Sequence, residues 1–214
     1  MNQQDKLNAL YEKYWQQITD CIAQYPGLSQ PILMKVPERY INSSTKIMII
    51  GQQTFGWGAG GICELLKCYE NFNLGEKYYS SPFWDIIRKI EIIFQNQPYS
   101  CVWTNINKCD YNNNRPPMEI ENKISTSFPV LKHEIEILNP DVIIFFTGPN
   151  FDRNILETFP EVKFIDLFDF KKIKLAKLEN LILPENTFRT YHPKYLRIKK
   201  FEGIFLDFIK KIDA

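Results

Sequence analysis

An α/β protein is predicted by this sequence, built as a three-layer α/β/α sandwich around a central, mostly parallel four-stranded sheet. Three observations carry that prediction. Short apolar segments at residues 46–50 and 141–147 read as strands buried on both faces, as parallel strands under helices are. Amphipathic stretches at helical spacing alternate with them along the chain. The composition, 44% hydrophobic and 14% aromatic over 214 residues, provides apolar material for one substantial core.

Taken in order, residues 5–24 place Leu7, Leu10, Tyr11, Tyr14, Ile18 and Ile22 on one helical face. This helix is expected to form an N-terminal extension over residues 1–30, packed on a single domain that spans 1–214. A connection with Pro26, Pro31 and Pro37 leads to the first strand, which runs into Gly51 and a glycine-rich loop reaching Gly61. Ser81-Pro82 supplies an N-cap and a first-turn proline for a helix over 83–94. A second strand follows at 100–107, then a polar stretch after Pro116-Pro117, then a helix near 129–138 in which Leu131, Ile135 and Leu138 share a face. Asn139-Pro140 stops that helix. The strand over 141–147 is strongly hydrophobic, further strand-like pieces lie near 162–167 and 187–191, and a final amphipathic helix carries Phe201, Ile204, Phe205, Phe208 and Ile212. No repeat or low-complexity segment interrupts this order.

Several function classes are disfavoured at once. The longest apolar run falls well below the roughly 20 residues of a membrane span, and the polar N-terminus has no secretory core, so a cytoplasmic protein without a membrane partner is expected. Five cysteines with no C-x-x-C pair read as buried free thiols rather than a disulfide framework. The two histidines have no second ligand at metal spacing, so neither metal nor cofactor is expected. Net charge is only +1, but Arg189, Lys194, Arg197, Lys199 and Lys200 form a basic run without an acidic residue. A monomer is expected.

Ligands of such sheets bind at the carboxyl ends of the strands. That rule selects Gly51–Gly61, Asn105–Cys109, Thr147–Asn150 and Tyr191–Leu196. The segment GQQTFGWGAGG lacks the lysine of a phosphate loop and the spacing of a dinucleotide fingerprint. It offers two carboxamides, Gln52 and Gln53, and two rings, Phe55 and Trp57, either as a plain glycine turn or as a pocket that stacks a planar ligand. Asn105 sits in an apolar strand, where its amide must find partners in loop backbone or in a ligand. A planar carboxamide can pair with the O4 and N3–H edge of uracil. His192 follows a strand in RTYHPKYLR, with Pro193 stiffening the chain after it and Leu196 looking exposed among charges. His133, in LKHEIEIL, reads as a surface residue.

Together, KIMIIGQQTFGWG, TNINKC and Tyr191-His192-Pro193 resemble the motifs of the uracil-DNA glycosylase superfamily, in its order, over roughly residues 46–205. TNINKCDYNNNRPP and HEIEILNPDVIIFFTG are especially similar to its thermophile-type branch. The resemblance implies base flipping, with Gly51, Gln52, Phe55, Trp57 and Asn105 around the base and Asn105 reading it. It implies that Gln53 positions the attacking water and that His192 stabilises the leaving base. Lys194, Arg197 and Lys199 would hold DNA phosphates while Leu196 wedges into the stack. The sequence departs from the family at Gln53, where Asp or Asn stands, at Thr54, where proline is usual, and at Lys194, where serine is common. Only Cys109 matches an iron–sulfur ligand, so no cluster is expected. Two other functions fit the same residues: a glycosylase-like protein that binds a base or nucleic acid without cleaving it, and a fold relative that acts on a small nucleotide or nucleoside or is merely a scaffold.

Overall fold

Unbroken burial marks three strands of the sheet. A computed structural model describes residues 1–212. In it β1 (Ile47–Gly51), β2 (Val102–Asn105) and β3 (Val142–Phe145) are buried at every position. Three more strands complete one sheet: β4 (Lys163–Asp166), β5 (Ala176–Glu179) and β6 (Asn186–Arg189). The spatial order is β2-β1-β3-β6-β5-β4. The first four run parallel, whereas β5 is antiparallel to both β6 and β4.

The sheet is therefore mixed and six-stranded, not the four-stranded, mostly parallel sheet expected. The strand that corresponds to no strand-like segment of the sequence is β5, whose four residues alternate buried Ala176 and Leu178 with the less buried Lys177 and Glu179. A half-buried strand of that length gives only two apolar positions, too few for a period to stand out. At the free edge β4 is largely exposed, and its Lys163 and Asp166 place charges there that discourage further strand pairing.

Nine helices among the described residues lie on both sides of the sheet: α1 (Gln3–Gln24), α2 (Glu38–Ile41), α3 (Ile62–Phe72), α4 (Pro82–Ile93), α5 (Met118–Ser127), α6 (Leu131–Leu138), α7 (Asp152–Thr158), α8 (Pro193–Ile198) and α9 (Glu202–Ile212). One group joins α1 with α5 and α6; the other joins α4 with α8 and α9. Asn2 starts α1 through a capping box with Asp5, and Pro82 opens α4 where its missing N–H is no loss. Asn139 ends α6 in the left-handed conformation at φ 46°, ahead of Pro140. The polar stretch after Pro117 is itself helical, as α5. No described helix is long and apolar enough to cross a membrane.

The α1 helix buries Leu7, Tyr11, Ile18 and Cys21 against its neighbours. Its Tyr11 hydroxyl donates to Glu134 Oε1 at 3.0 Å and accepts the Met34 N–H at 3.1 Å. Lys108 Nζ donates to the other Glu134 oxygen and to Thr104. Lys108 and Glu134 are almost fully buried, so α1, α6 and the chain after β2 converge on one ion pair inside the core. Burial pushes the Lys108 ammonium below its ordinary value, and the Glu134 carboxylate opposes that shift. Among the cysteines, Cys21, Cys101 and Cys109 are buried free thiols, but Cys63 is exposed and Cys68 half-buried, because both lie on α3 outside its inner face.

Replacing one member of a buried pair leaves an uncompensated charge. Lys108→Met should lower unfolding free energy by about 3–5 kcal/mol. Urea denaturation checks this, and Lys108→Met with Glu134→Gln should recover part of the loss.

Candidate functional site

The carboxyl ends of the parallel strands meet where β1 has β2 on one side and β3 on the other. Chain connections leave in opposite directions there, which opens a crevice above the sheet. Register places Gly51 directly beside Asn105. The Asn105 carboxamide lies against Gly51 so closely that a Cβ at residue 51 would stand 2.3 Å from Asn105 Oδ1. Glycine is required there by space, not by dihedral angle.

Above this pair is a cavity of about 430 Å³, within the ~300–1,000 Å³ of small-molecule sites. Gly51, Gln52, Gln53, Phe55, Trp57, Asn105 and His192 all line it, so the residues selected from three separate segments share one cavity. Asn105 is 1% exposed, and its Nδ2 has no hydrogen-bond partner among the described residues. Gln53 Oε1 is also buried and without a partner among the described residues. Gln52 has a different role, since its Nε2 donates to the Thr147 carbonyl at 2.9 Å and ties the end of β1 to the end of β3.

The rings divide by depth. Trp57 is buried, edge-on to Phe72 and Trp103, whereas Phe55 is 81% exposed at the mouth. Trp103 comes two residues before Asn105 on β2 and so shares its face of the sheet. Phe83, in the first turn of α4, stacks on the His192 ring at 5.5 Å. Neither Trp103 nor Phe83 was singled out from the sequence. The Ser81-Pro82 helix start was the available signal for Phe83, and the period of two from Asn105 was the signal for Trp103.

His192 caps α8, with Nδ1 accepting the Lys194 N–H at 3.2 Å. That bond requires a lone pair on Nδ1, so the neutral ring carries its proton on Nε2. Burial, assisted by the nearby Lys194 ammonium, pushes the imidazole down to about 4. Near neutral pH this is a neutral ring with one N–H to give.

A buried carboxylate organises the glycine-rich loop. Asp110 Oδ2 accepts the Thr54 hydroxyl and the Gly56 N–H, both at 2.8 Å, and Oδ1 accepts the Asn113 N–H at 2.9 Å. Thr54 thus supplies a tether that proline could not make. Gly56 takes φ +67°, and a Cβ there would meet Asn113 Oδ1 at 2.8 Å. Ser29 joins the same knot, its hydroxyl 3.2 Å from that of Thr54.

The expected DNA contacts fare unevenly. Lys194 and Lys199 are exposed on and after α8. Leu196, expected to protrude, is fully buried between α8 and the core, because the helix turns that face inward against α4 and α9. It cannot act as a wedge in this conformation; Ile198, 67% exposed, is the protruding aliphatic residue of the helix. Arg197 is engaged by Asp85 and by Glu202 at 3.0 Å, which links α8 to α4 and α9. His133 is on the surface, with Glu136 at 2.9 Å. No known family model matches the chain, and no curated protein does.

Two outcomes follow. His192 ring-proton NMR shifts, assigned with His133→Gln, should show an imidazole that stays neutral down to about pH 4. Because the unfolded ring binds its proton near 6.5, the unfolded state holds more protons between 6.5 and about 4, and stability should fall as pH falls through that window. Leu196→Ala should destabilise the fold by about 2–5 kcal/mol in urea titration, with little direct effect on DNA affinity.

Proposed function

We propose that this chain is a DNA N-glycosylase of the uracil-DNA glycosylase type, hydrolysing the bond between deoxyribose and uracil or another deaminated base. The observation that carries the reading is the buried Asn105 Nδ2, without a partner among the described residues, in a carboxamide at the cavity beside a glycine that leaves room for it. A buried amide without partners is unfavourable by about 1–3 kcal/mol, and a planar base offering a carbonyl and an N–H in one edge removes that deficit. The aromatic walls favour a flat ligand over a sugar or a chain.

In this reading the base leaves the stack and enters the cavity, where Asn105 pairs with its O4 and N3–H edge. The His192 Nε2–H donates to O2 as the glycosidic bond breaks and the electron pair moves onto the base. A neutral donor suffices, since stabilising charge as it develops is the larger contribution to such reactions. Gln53 orients the water whose oxygen bonds to C1′; its amide takes no proton, so the water's proton passes to solvent and the departing base anion is protonated from solvent. Lys194 and Lys199 hold phosphates. Arg197, already paired with two carboxylates, contributes to the scaffold.

The second reading, a protein that binds a base without cleaving it, is favoured by one observation. Gln53 brings a carboxamide one methylene longer than asparagine, and a displacement of about 1 Å can lower rate on the order of 100-fold.

Purified protein should release free base from an oligonucleotide carrying a single deaminated base, and Asn105→Ala and His192→Ala should each abolish release. Robust release by His192→Ala would sink the role given to that residue. Tight binding with no product at high protein concentration would decide for the second reading.

A further inference from the structure

The two outermost strands do more than widen the sheet. Because β5 runs opposite to both β4 and β6, β4 runs the same way as β6 and ends on the side of the sheet that holds the cavity. Register puts Asp166, Ala176 and Arg189 in one row, which continues through Phe145 and Ile50 to Thr104. The 3₁₀ segment Phe168–Ile173, which follows β4, therefore stands beside the residues that follow Arg189, among them His192. Thr190 Oγ1 donates to the Ile173 carbonyl at 2.8 Å, and Arg189 Nη1 donates to the Lys174 carbonyl. Phe170 packs edge-on against Phe208 of α9, with ring centroids 5.1 Å apart. The strand end that delivers His192 thus holds this segment directly.

Its outer surface is cationic. Lys171, Lys172 and Lys174 are exposed, and none has an ion-pair partner among the described residues. Lys177 on β5 differs, being paired with Glu185 at 3.4 Å. The acids of the same stretch, Asp166 and Asp169, are exposed and outnumbered. Phe168 is 82% exposed among these lysines, its ring centroid 6.0 Å from Lys171 Nζ. It borders a cavity of about 190 Å³ that Lys171 and Lys174 also line. Cations interleaved with an exposed ring suit a partner that presents phosphates and base faces together. Lys194 and Lys199, exposed on and after α8, lie on the β6 side of this surface. Strands lie about 4.8 Å apart, so the end of β4 carries positive charge about 10 Å beyond β6. That distance is roughly three base-pair steps of a duplex.

We propose that Lys171, Lys172 and Lys174 form a second phosphate-binding patch, which extends the nucleic-acid interface from α8 to the β4 edge and lengthens the footprint on one side of the target base. The proposal rests on the excision reading above for its partner. The patch itself holds backbone and takes no part in bond cleavage. Phosphate contacts position a protein on nucleic acid without reading sequence, so the patch acts on affinity and not on which base leaves.

The test uses the full chain and a DNA duplex with one uracil at its centre, with affinity measured from about 50 to 200 mM salt. Combining Lys171→Gln, Lys172→Gln and Lys174→Gln should remove about two to three units from the slope of log affinity against log salt, and should weaken binding at least about tenfold at the low-salt end. Lys6→Gln, Lys13→Gln and Lys123→Gln together, an equal loss of charge on α1 and α5, should leave slope and affinity nearly unchanged. Single-turnover release of base at saturating protein should match the wild type in the first variant. Equal effects of the two triple variants, an unchanged slope, or a wild-type protein that does not bind DNA would overturn the patch. Binding without release of base would overturn the excision reading alone, and the slopes would still judge the patch. Should the triple variant fail to fold, Lys172→Gln alone should remove about one unit of slope, and no change there would overturn the proposal.

Discussion

Everything at the carboxyl edge of the sheet depends on the contact between Gly51 and Asn105. Parallel pairing sets the two side by side at the strand ends, and the missing Cβ lets the carboxamide lie flat over the neighbouring strand. With any larger residue at 51, the amide would have to swing away from β1. The floor of the cavity is therefore a consequence of sheet register, among the more strongly specified features of a buried sheet. Loops then add to a base that is already placed.

The walls are secured differently on two sides. On one, Asp110 gathers Thr54, Gly56 and Asn113 around a buried carboxylate, so the glycine-rich loop is held by side-chain chemistry in place of regular structure. On the other, α8 is anchored by Leu196 in the core and by Arg197 between Asp85 and Glu202. Both devices fix geometry before any ligand arrives, which lowers the ordering entropy that binding must overcome. They also explain why two residues that look available for DNA in the linear sequence are committed to the scaffold.

How much could be read from the sequence varied with the range of the interactions involved. β1 and β3 are legible because both faces are buried, which leaves a continuous apolar run. The stop at Asn139-Pro140 is legible because it is local chemistry. By contrast α5 has few apolar residues, and its inward face includes Glu121, made tolerable by Arg115, Asn107 and Asn154 from elsewhere in the chain. No spacing rule reveals such a partner set. The same holds at the site. Asn105 and His192 stand out as polar types at strand ends, whereas Asp110 acts across more than fifty positions. Whether Leu196 points in or out is decided by how α8 docks, a tertiary fact.

The aromatic lining has an optical consequence. Of the chain's four tryptophans, Trp57, Trp84 and Trp103 border the cavity, and only Trp15, on α1, lies elsewhere. Intrinsic emission from this protein therefore originates mainly at the one place where a ligand would sit. A planar heterocycle stacked among those rings would quench them, so the fold reports its own occupancy without any added label.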